Sequence, residues 1–317
     1  MKAQDPKLAL APLCRLFGMT RQAFYKAERV EAQQRVQGGL ILDMVRTVRR
    51  VHPRLGGRKL YHLLKPRWEA HGIKLGRDKF FDLLAGAGML IRRKRSRRTT
   101  YSLPWYRKYP NLVRGLDPTG PHQLWVSDIT YVPCAKGFFY LSLITDAYSR
   151  KVVGHCLGPT LETRYTLQAL RQALVQYRPG ERPLIHHSDR GLQYGSHQYI
   201  QTLWTHDIAI SMSENSDPLE NAIAERVNGI IKEEYYDLSG VSDLEQARTM
   251  LDRAIHLYNE HRPHMSCNML TPAQAHTHHG ALKRQWKNYY NGQRKNTAVN
   301  LFQDYERGVN HLQDLSS

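Results

Sequence analysis

Three carboxylates, Asp128, Asp189 and Glu225, combine residue types and positions that suit metal-dependent phosphodiester chemistry. Asp128 lies in a β-branched and aromatic run, residues 125–132, where a carboxylate loses hydration unless a charge neutralises it. Two Asp and one Glu supply hard oxygen ligands, which suit Mg²⁺ or, in its place, Mn²⁺. Two such ions about 3.5–4 Å apart can activate an attacking oxygen and stabilise the leaving oxygen of a phosphodiester. These three residues are therefore the candidate catalytic and metal-binding residues.

Two predicted strands carry the aspartates. Residues 125–132 predict a first strand with Asp128 near its end, and residues 183–188 predict a short strand that reaches Asp189. In open α/β sheets, ligand sites lie outside the carboxyl ends of parallel strands. We therefore expect the two aspartates to lie at one edge of a sheet.

An amphipathic helix is predicted over residues 219–236, and Glu225 is expected to project from its polar side. At about 100° per residue, the apolar side chains of this helix cluster on the opposite side. They are Ile223, Val227, Ile230 and Ile231. Asn221 lies one turn before Glu225, and Lys232 lies two turns after it.

Each carboxylate taken alone also has an ordinary structural interpretation. An Asp at a strand end often caps a turn, and a Glu on the polar side of a helix is usually solvated. The three together, on elements that converge, favour the catalytic interpretation.

The stretch from residue 123 onwards predicts an α/β fold, a mixed sheet flanked by helices. Its predicted strands are residues 125–132, 138–145, 150–157, 183–188 and 208–212. Its predicted helices are residues 160–177, 198–205 and 219–236. Three hairpin-type strands followed by alternating strand and helix indicate this architecture.

Charge divides the 317-residue chain into two unlike parts. Residues 1–118 hold 27 Lys and Arg against 8 Asp and Glu, a net charge of +19. Residues 119–317 hold 19 against 20, a net charge of −1. A one-sided positive field indicates a polyanionic partner such as nucleic acid, although a solvated basic surface would have the same composition.

Residues 1–36 predict a first helix-turn-helix module. An apolar stripe (Leu10, Leu13, Cys14 and Phe17) is followed by Gly18 and by Thr20, which can cap a new helix. Candidate DNA contacts at the start of that helix are Arg21, Gln22 and Lys26. A plain helical bundle with a glycine turn is the alternative.

Residues 37–91 predict a second small all-α module. A helix is predicted over residues 39–51, a turn over 53–57, and then two helices around Leu64 and Leu84. The candidate DNA contacts in this module are Arg58, Arg77 and Lys79.

Two further basic, aromatic segments complete the chain. Residues 92–120 are interpreted as a linker that lies along a DNA groove or holds splayed single strands, or as an ordinary solvated linker. Its candidate DNA contacts are Arg92, Arg93, Lys94, Arg95, Arg97 and Arg98. The C-terminal tail, residues 281–317, could bind DNA, contact another subunit or be disordered.

The sequence argues against a membrane or secreted protein. The first five residues contain no apolar run, so we expect no signal peptide. The most apolar stretch, residues 138–144, is far shorter than the about 18 residues that span a bilayer. Cys14, Cys134, Cys156 and Cys267 lie far apart, which favours neither disulfides nor a zinc site. We expect a reducing, cytoplasmic location.

The spacing and the flanking residues of the carboxylates resemble those of a known family. Thirty-five residues separate Asp189 from Glu225, as in the DDE signature of retroviral integrases and related transposases. Further motifs resemble bacterial insertion-sequence transposases of the group often encoded in a second reading frame. They are residues 125–131, 146–150, 187–194, 221–225, 258–264 and 270–273, with Lys232.

This resemblance implies an RNase H-like DDE core over residues 121–280, in which Asp128, Asp189 and Glu225 hold two Mg²⁺ ions. It implies 3′-end cleavage and strand transfer on double-stranded DNA, with Asn221 and Lys232 contacting DNA near the reacting phosphate. A homodimer or larger assembly on DNA is expected, in the nucleoid of a bacterial cytoplasm. An upstream reading-frame partner is a further possibility.

Two other functions remain open at this point. A metal-dependent nuclease on the same fold would hydrolyse DNA without joining it. A catalytically inactive DNA-binding regulator would tolerate loss of the three carboxylates.

Overall fold

The computed structural model of the chain describes residues 10–91, 109–179, 183–214, 221–283 and residue 285. The chain divides into two compact units, Met1–Arg93 and Lys94–Ser317. The division falls inside the predicted linker, residues 92–120. Residues 92–108 of that linker lie outside the described residues, as does most of the predicted C-terminal tail.

The first unit begins with two helices, α1 (Leu10–Leu16) and α2 (Arg21–Val51). Between them Gly18 adopts a φ of +64°, a conformation that costs glycine little. The Thr20 side chain accepts a hydrogen bond from Ala23 N at 3.1 Å, so the predicted turn and cap are confirmed.

Helix α2 runs without a break for 31 residues, and here the prediction of a separate helix over residues 39–51 was wrong. The boundary placed after residue 36 therefore lies inside a helix. Gly38 and Gly39 cost the helix about 1 kcal/mol each, which good helix formers around them outweigh. A Cβ at Gly38 would lie 3.2 Å from Leu83 Cδ1, so glycine also allows close packing there.

The C-terminal half of α2 packs with α3 (Gly57–Ala70) and α4 (Arg77–Gly86), which confirms the predicted pair of helices. Burial of this apolar surface stabilises the unit. Its core is formed by Ile41, Val45, Leu55, Leu60, Leu64, Trp68, Ile73, Phe80 and Leu84.

The second unit carries a five-stranded mixed sheet within the described residues, in the order β3-β2-β1-β4-β5. The strands are β1 (Leu124–Cys134), β2 (Gly137–Asp146), β3 (Val152–Gly158), β4 (Ile185–Ser188) and β5 (Ala209–Met212). Strands β1, β2 and β3 are antiparallel neighbours, whereas β4 and β5 run parallel to β1. This is the RNase H-like α/β sheet that the sequence predicts.

Helices cover both faces of the sheet. On one face α5 (Thr163–Gln176) and α6 (His197–Trp204) share a hydrophobic core with the strands. On the other face lie α7 (Ala222–Ile230) and α8 (Leu244–His256). A short helix, α9 (Pro272–Ala275), follows.

Helix α7 departs from the predicted single helix over residues 219–236. It continues into a π-helical turn over Ile231–Tyr235, and residues 215–220 lie outside the described residues. Such turns occur often at functional sites, and they change which way the following side chains point.

Two further findings concern the helices and the cysteines. None of the helices in the described ranges is long and apolar enough to cross a membrane. The four cysteines are free thiols, and Cys14, Cys156 and Cys267 are buried.

Candidate catalytic site

The parallel pairing of β1 with β4 places the two aspartates side by side. Ser127 lies opposite Ser188 in this register, and Asp128 and Asp189 are the next residues on their chains. Because equivalent positions on neighbouring parallel strands lie about 5 Å apart, the carboxylates of Asp128 and Asp189 lie close to each other. The two aspartates therefore lie close together, as expected. The predicted position of Asp128 near the end of its strand was wrong, because pairing with β2 extends β1 as far as Cys134.

Asp128 is buried close to two other negatively charged side chains, those of Asp189 and Glu225. Burial, followed by the charges of Asp189 and Glu225, raises the pKa of Asp128 to about 7, although a hydrogen bond from Asn228 opposes this rise. Burial and the neighbouring carboxylates thus disfavour the charged form of Asp128, and a bound cation would favour it.

Asp189 is held by the turn that follows β4. Burial raises the pKa of Asp189, while the Gly191 N–H donates to its Oδ1 at 3.0 Å and opposes that rise. A Cβ at Gly191 would lie 3.0 Å from the same oxygen and 3.3 Å from Tyr194 Cδ2. A side chain at this position would therefore press on the Asp189 carboxylate, whereas glycine leaves it room.

Glu225 lies on the first turn of α7 and is exposed to solvent. Its charge reaches Asp128 and raises the pKa of that residue. No group of three His, Cys, Asp or Glu side chains in the described part of the chain has a metal-binding arrangement. The structure thus brings Asp128 and Asp189 together and leaves Glu225 near them, without closing a three-carboxylate cluster.

Asn228 is a site residue that the sequence reasoning missed. Its Nδ2 donates to Asp128 Oδ2 at 2.7 Å, and the residue is only 3% exposed. Asn228 follows Glu225 by three residues, so the two side chains are neighbours on the surface of the helix. This i, i+3 spacing is the sequence signal that could have predicted Asn228 as a site residue.

The structure holds Asn221 and Lys232 against β1 rather than towards solvent. Asn221 is buried, and its Nδ2 donates to Ser127 O at 3.0 Å. Lys232 Nζ donates to Thr130 Oγ1 at 2.5 Å. Burial lowers the pKa of Lys232, and the charge of Asp128 opposes this change. Both residues couple the α7 segment to the strand that carries Asp128.

Three buried polar atoms near the aspartates make no hydrogen bond to any described residue. They are Asn221 Oδ1, Asn228 Oδ1 and Tyr194 Oη. Buried polar groups normally have partners, so such atoms indicate a ligand or bound water. Two carboxylates with surplus negative charge and neighbouring amide oxygens have the chemistry that suits a hydrated divalent cation such as Mg²⁺.

The candidate DNA contacts of the first unit are exposed. They are Arg21, Gln22, Lys26, Arg58, Arg77 and Lys79. Among them Arg77 Nε donates to Asp78 Oδ1 at 2.9 Å, on the solvent side of α4. The six candidate DNA contacts of the predicted linker, which fall between Arg92 and Arg98, lie outside the described residues.

Comparison with known proteins identifies the family of this chain. Residues 118–218 and 206–272 match two families, each described as an integrase core domain. A 31 kDa protein of insertion element IS600 from Shigella sonnei is 31% identical over 269 residues, which cover 82% of this chain and 96% of that protein. The candidate transposase of IS986/IS6110 from Mycobacterium tuberculosis is 31% identical, over 69% of this chain and 80% of the relative. The chain belongs to the insertion-sequence transposases.

Membership of this family makes the chain a DDE polynucleotidyl transferase with an integrase-like core. A third relative, the transposase of IS629 from Shigella sonnei, is 35% identical over 57% of this chain and 60% of its own length. Among solved structures, the catalytic core of HTLV-2 integrase in complex with magnesium superimposes with a TM-score of 0.41 and 21% identity, over 50% of this chain and 99% of the other.

Proposed function

We propose that the chain binds the terminal inverted repeats of an insertion sequence and catalyses Mg²⁺-dependent 3′-end cleavage and strand transfer. The observation that carries this proposal is the proximity of Asp128, in the middle of β1, to Asp189, which directly follows β4, together with the burial and neighbouring negative charges that raise the pKa of Asp128. Membership of the transposase family supports the choice of DNA as substrate.

Asp128 and Asp189 would hold the metal, with Glu225 as the third carboxylate. Two bound Mg²⁺ ions, or Mn²⁺ in their place, supply activation of the attacking oxygen and stabilisation of the leaving oxygen. Asn228 keeps one carboxylate oriented through its bond to Oδ2 of Asp128. The Gly191 N–H does the same for Asp189.

The first unit is proposed to recognise the ends of the element. Exposed Arg21, Gln22 and Lys26 lie in the first two turns of α2, and exposed Arg77 and Lys79 lie in the first turn of α4. Helix N-termini carrying exposed basic side chains suit phosphate and base-edge contacts in the major groove. Lys232 and Asn221 would contact the reacting end after release from β1.

Transposition joins two ends of one element to a target, so we propose that a homodimer or larger assembly forms on DNA. This assembly would act in the nucleoid of the bacterial cytoplasm, where the substrate is located. An upstream reading-frame product would be a further component if the chain alone binds ends without joining them.

The deciding experiment is a strand-joining assay on DNA with the element's ends and Mg²⁺, for wild type and for Glu225→Gln. Gln keeps the shape of Glu and removes its charge. We expect wild type to join ends, and Glu225→Gln to bind DNA with joining reduced by about 100-fold or more. Nicked but unjoined product from wild type would support the nuclease instead.

Binding without any cleavage by wild type would contradict the proposal for the chain alone. Addition of the upstream product then separates the two remaining explanations. Restored joining identifies a required partner, whereas continued absence identifies a DNA-binding regulator.

A further inference from the structure

Tyr194 has an unusual environment for a buried tyrosine. It follows Asp189 by five residues, and only 3% of it is exposed. Its hydroxyl makes no hydrogen bond to any described residue. A hydroxyl that has lost water without gaining a partner destabilises a fold. Phenylalanine would fill the same volume without this cost.

The ring of Tyr194 is fixed by its neighbours. It contacts Tyr199 edge to face, with ring centroids 5.4 Å apart, and its centroid lies 6.2 Å from that of His186. Its Cδ2 lies 3.3 Å from the position of a Cβ at Gly191, and Asp189 Oδ1 lies 3.0 Å from the same position. The ring is therefore packed beside the turn that holds the Asp189 carboxylate.

The charges of Asp189 and Asp128 act on the Tyr194 hydroxyl. Burial, the neighbouring Tyr199, and then the charges of Asp189 and Asp128 raise the pKa of Tyr194 well above its ordinary value. Tyr194 Oη therefore keeps its proton and can act only as a neutral donor or acceptor beside the two carboxylates.

Tyr199 provides an internal comparison. It is buried to the same degree and packs against the same rings, but its hydroxyl lies 3.0 Å from His186 Nε2 and so has a partner. One hydroxyl of the pair thus belongs to the internal hydrogen bonds of the fold, whereas the other does not.

We propose that Tyr194 is a positioning residue of the catalytic site, whose hydroxyl donates a hydrogen bond to the Asp189 carboxylate when a divalent cation is bound. This inference rests on the function proposed above. The Gly191 N–H already donates to one oxygen of that carboxylate, so the tyrosine and the amide together fix its orientation towards the cation. Groups that orient metal ligands commonly contribute about 10- to 100-fold to metal affinity or activity.

The experiment compares full-length Tyr194→Phe with Tyr199→Phe, wild type and Asp189→Asn. Thermal unfolding is measured first without divalent cation and then across a Mn²⁺ titration, and strand joining is measured separately. Without cation, Tyr194→Phe should unfold at or above the wild-type temperature because it loses only an unsatisfied hydroxyl. Tyr199→Phe should unfold at a lower temperature because it loses the bond to His186.

In the Mn²⁺ titration, Tyr194→Phe should need about tenfold more Mn²⁺ than wild type for half of the stabilisation. Tyr199→Phe should keep the wild-type value, and Asp189→Asn should lose the effect. A wild-type Mn²⁺ requirement in Tyr194→Phe overturns the inference, and so does a wild-type chain that Mn²⁺ does not stabilise.

The strand-joining arm separates this inference from the proposed function. If Mn²⁺ binding weakens in Tyr194→Phe but wild type never joins ends, the positioning role stands and the proposed reaction falls. If wild type joins ends and Tyr194→Phe has the wild-type Mn²⁺ requirement, the reaction stands and the positioning role falls.

Discussion

Asn228 on α7 donates a hydrogen bond from Nδ2 to Oδ2 of Asp128 on β1, over 2.7 Å. This bond links the two elements that supply the first and third carboxylates, because Glu225 also lies on α7. The orientation of Asp128 therefore depends on where α7 sits against the sheet. Asn221 ties the same helix to the preceding residue of β1.

Removal of this bond should impair the chemistry more than the fold. Asn228→Ala is expected to reduce strand joining by about 10- to 100-fold, because the Asp128 carboxylate loses a group that orients it. Asn228→Asp should lose more, since it adds a negative charge beside Asp128. Joining and DNA binding are measured together, with thermal unfolding as the control. Wild-type joining by a folded Asn228→Ala would contradict this role.

Gly191 should not tolerate a side chain. The Cβ of Gly191→Ala would lie 3.0 Å from Asp189 Oδ1 and displace the carboxylate. Since misplacement of a reacting group by about 1 Å can cost about 100-fold in rate, we expect strand joining to fall by about tenfold or more. Gly229→Ala is the matched control: it lies on α7 with no atom within 4 Å of the added Cβ. The control should keep its activity and gain slightly in stability.

The stability of the second unit should fall in mild acid because of His276. Its Nδ1 lies 2.9 Å from Ser149 Oγ, and Ser149 in turn donates to Asp146. Burial lowers the pKa of His276 to about 4, although the charge of Asp146 opposes this change. The unfolded chain, with a pKa near 6.5, therefore binds a proton that the folded chain excludes.

The contribution of His276 to the free energy of unfolding is thus fully present above about pH 6.5. It decreases as the pH falls towards 4, by up to about 3 kcal/mol. Urea unfolding at several pH values measures this slope. His276→Gln should flatten it, whereas His278→Gln at an exposed position should leave it unchanged. An equal slope in wild type and His276→Gln would show that another group is responsible.

Arg262 and Glu234 form a buried ion pair whose disruption should be costly. Nε and Nη2 of Arg262 bond the two Glu234 oxygens at 2.8 and 2.7 Å, and the arginine side chain is 1% exposed. Arg262→Ala leaves a buried carboxylate without its partner, so we expect a loss of about 3–5 kcal/mol in the free energy of unfolding. Arg164→Ala removes an exposed pair with Glu162 and should cost less than about 1 kcal/mol. Comparable losses in the two variants would contradict the argument.

Arg77 and Lys79 of α4 should contribute to the salt dependence of DNA binding by the first unit. If Arg77 and Lys79 contact phosphates, Arg77→Ala and Lys79→Ala should each reduce the slope of log affinity against log salt by about 1. Affinity is measured on end DNA and on unrelated DNA over a range of salt concentrations. A loss confined to end DNA would instead indicate base contacts, and no change at either site would remove α4 from the interface.

The sheet and the aspartate pair could be predicted because strand periodicity and motif spacing are local signals. Asp128 sits in a run of β-branched and aromatic residues, and Asp189 directly follows a short buried strand, so parallel pairing of the two strands brings the aspartates together. The continuity of α2 was not predictable from its glycines, since Gly38 is accepted there through packing against Leu83, which lies 45 residues later.

The roles of Asn228 and Tyr194 required the folded chain. The bond of Asn228 joins residues 100 positions apart, and no periodicity reports such a contact. Tyr194 belongs to a recognisable motif, but the missing partner of its hydroxyl is a property of three-dimensional packing. The expected direction of Lys232 assumed the 100° per residue of a regular α-helix. Lys232 lies instead in the π-helical turn that follows α7, where this angle does not apply.

The unbroken helix α2 fixes a distance as well as a fold. Its 31 residues extend over about 46 Å, the length of roughly 14 base pairs of B-form DNA. Exposed Arg21 stands at one end, and the core that anchors α3 and α4 surrounds the other. If both ends of α2 contact one duplex, as the proposed function requires, a helix of this length fixes the separation of the two contacts and their relative position around the DNA axis. Insertion of about half a turn of DNA between the two parts of a terminal repeat would then place the second part on the opposite side of the duplex. The helices α3 and α4 could no longer contact it.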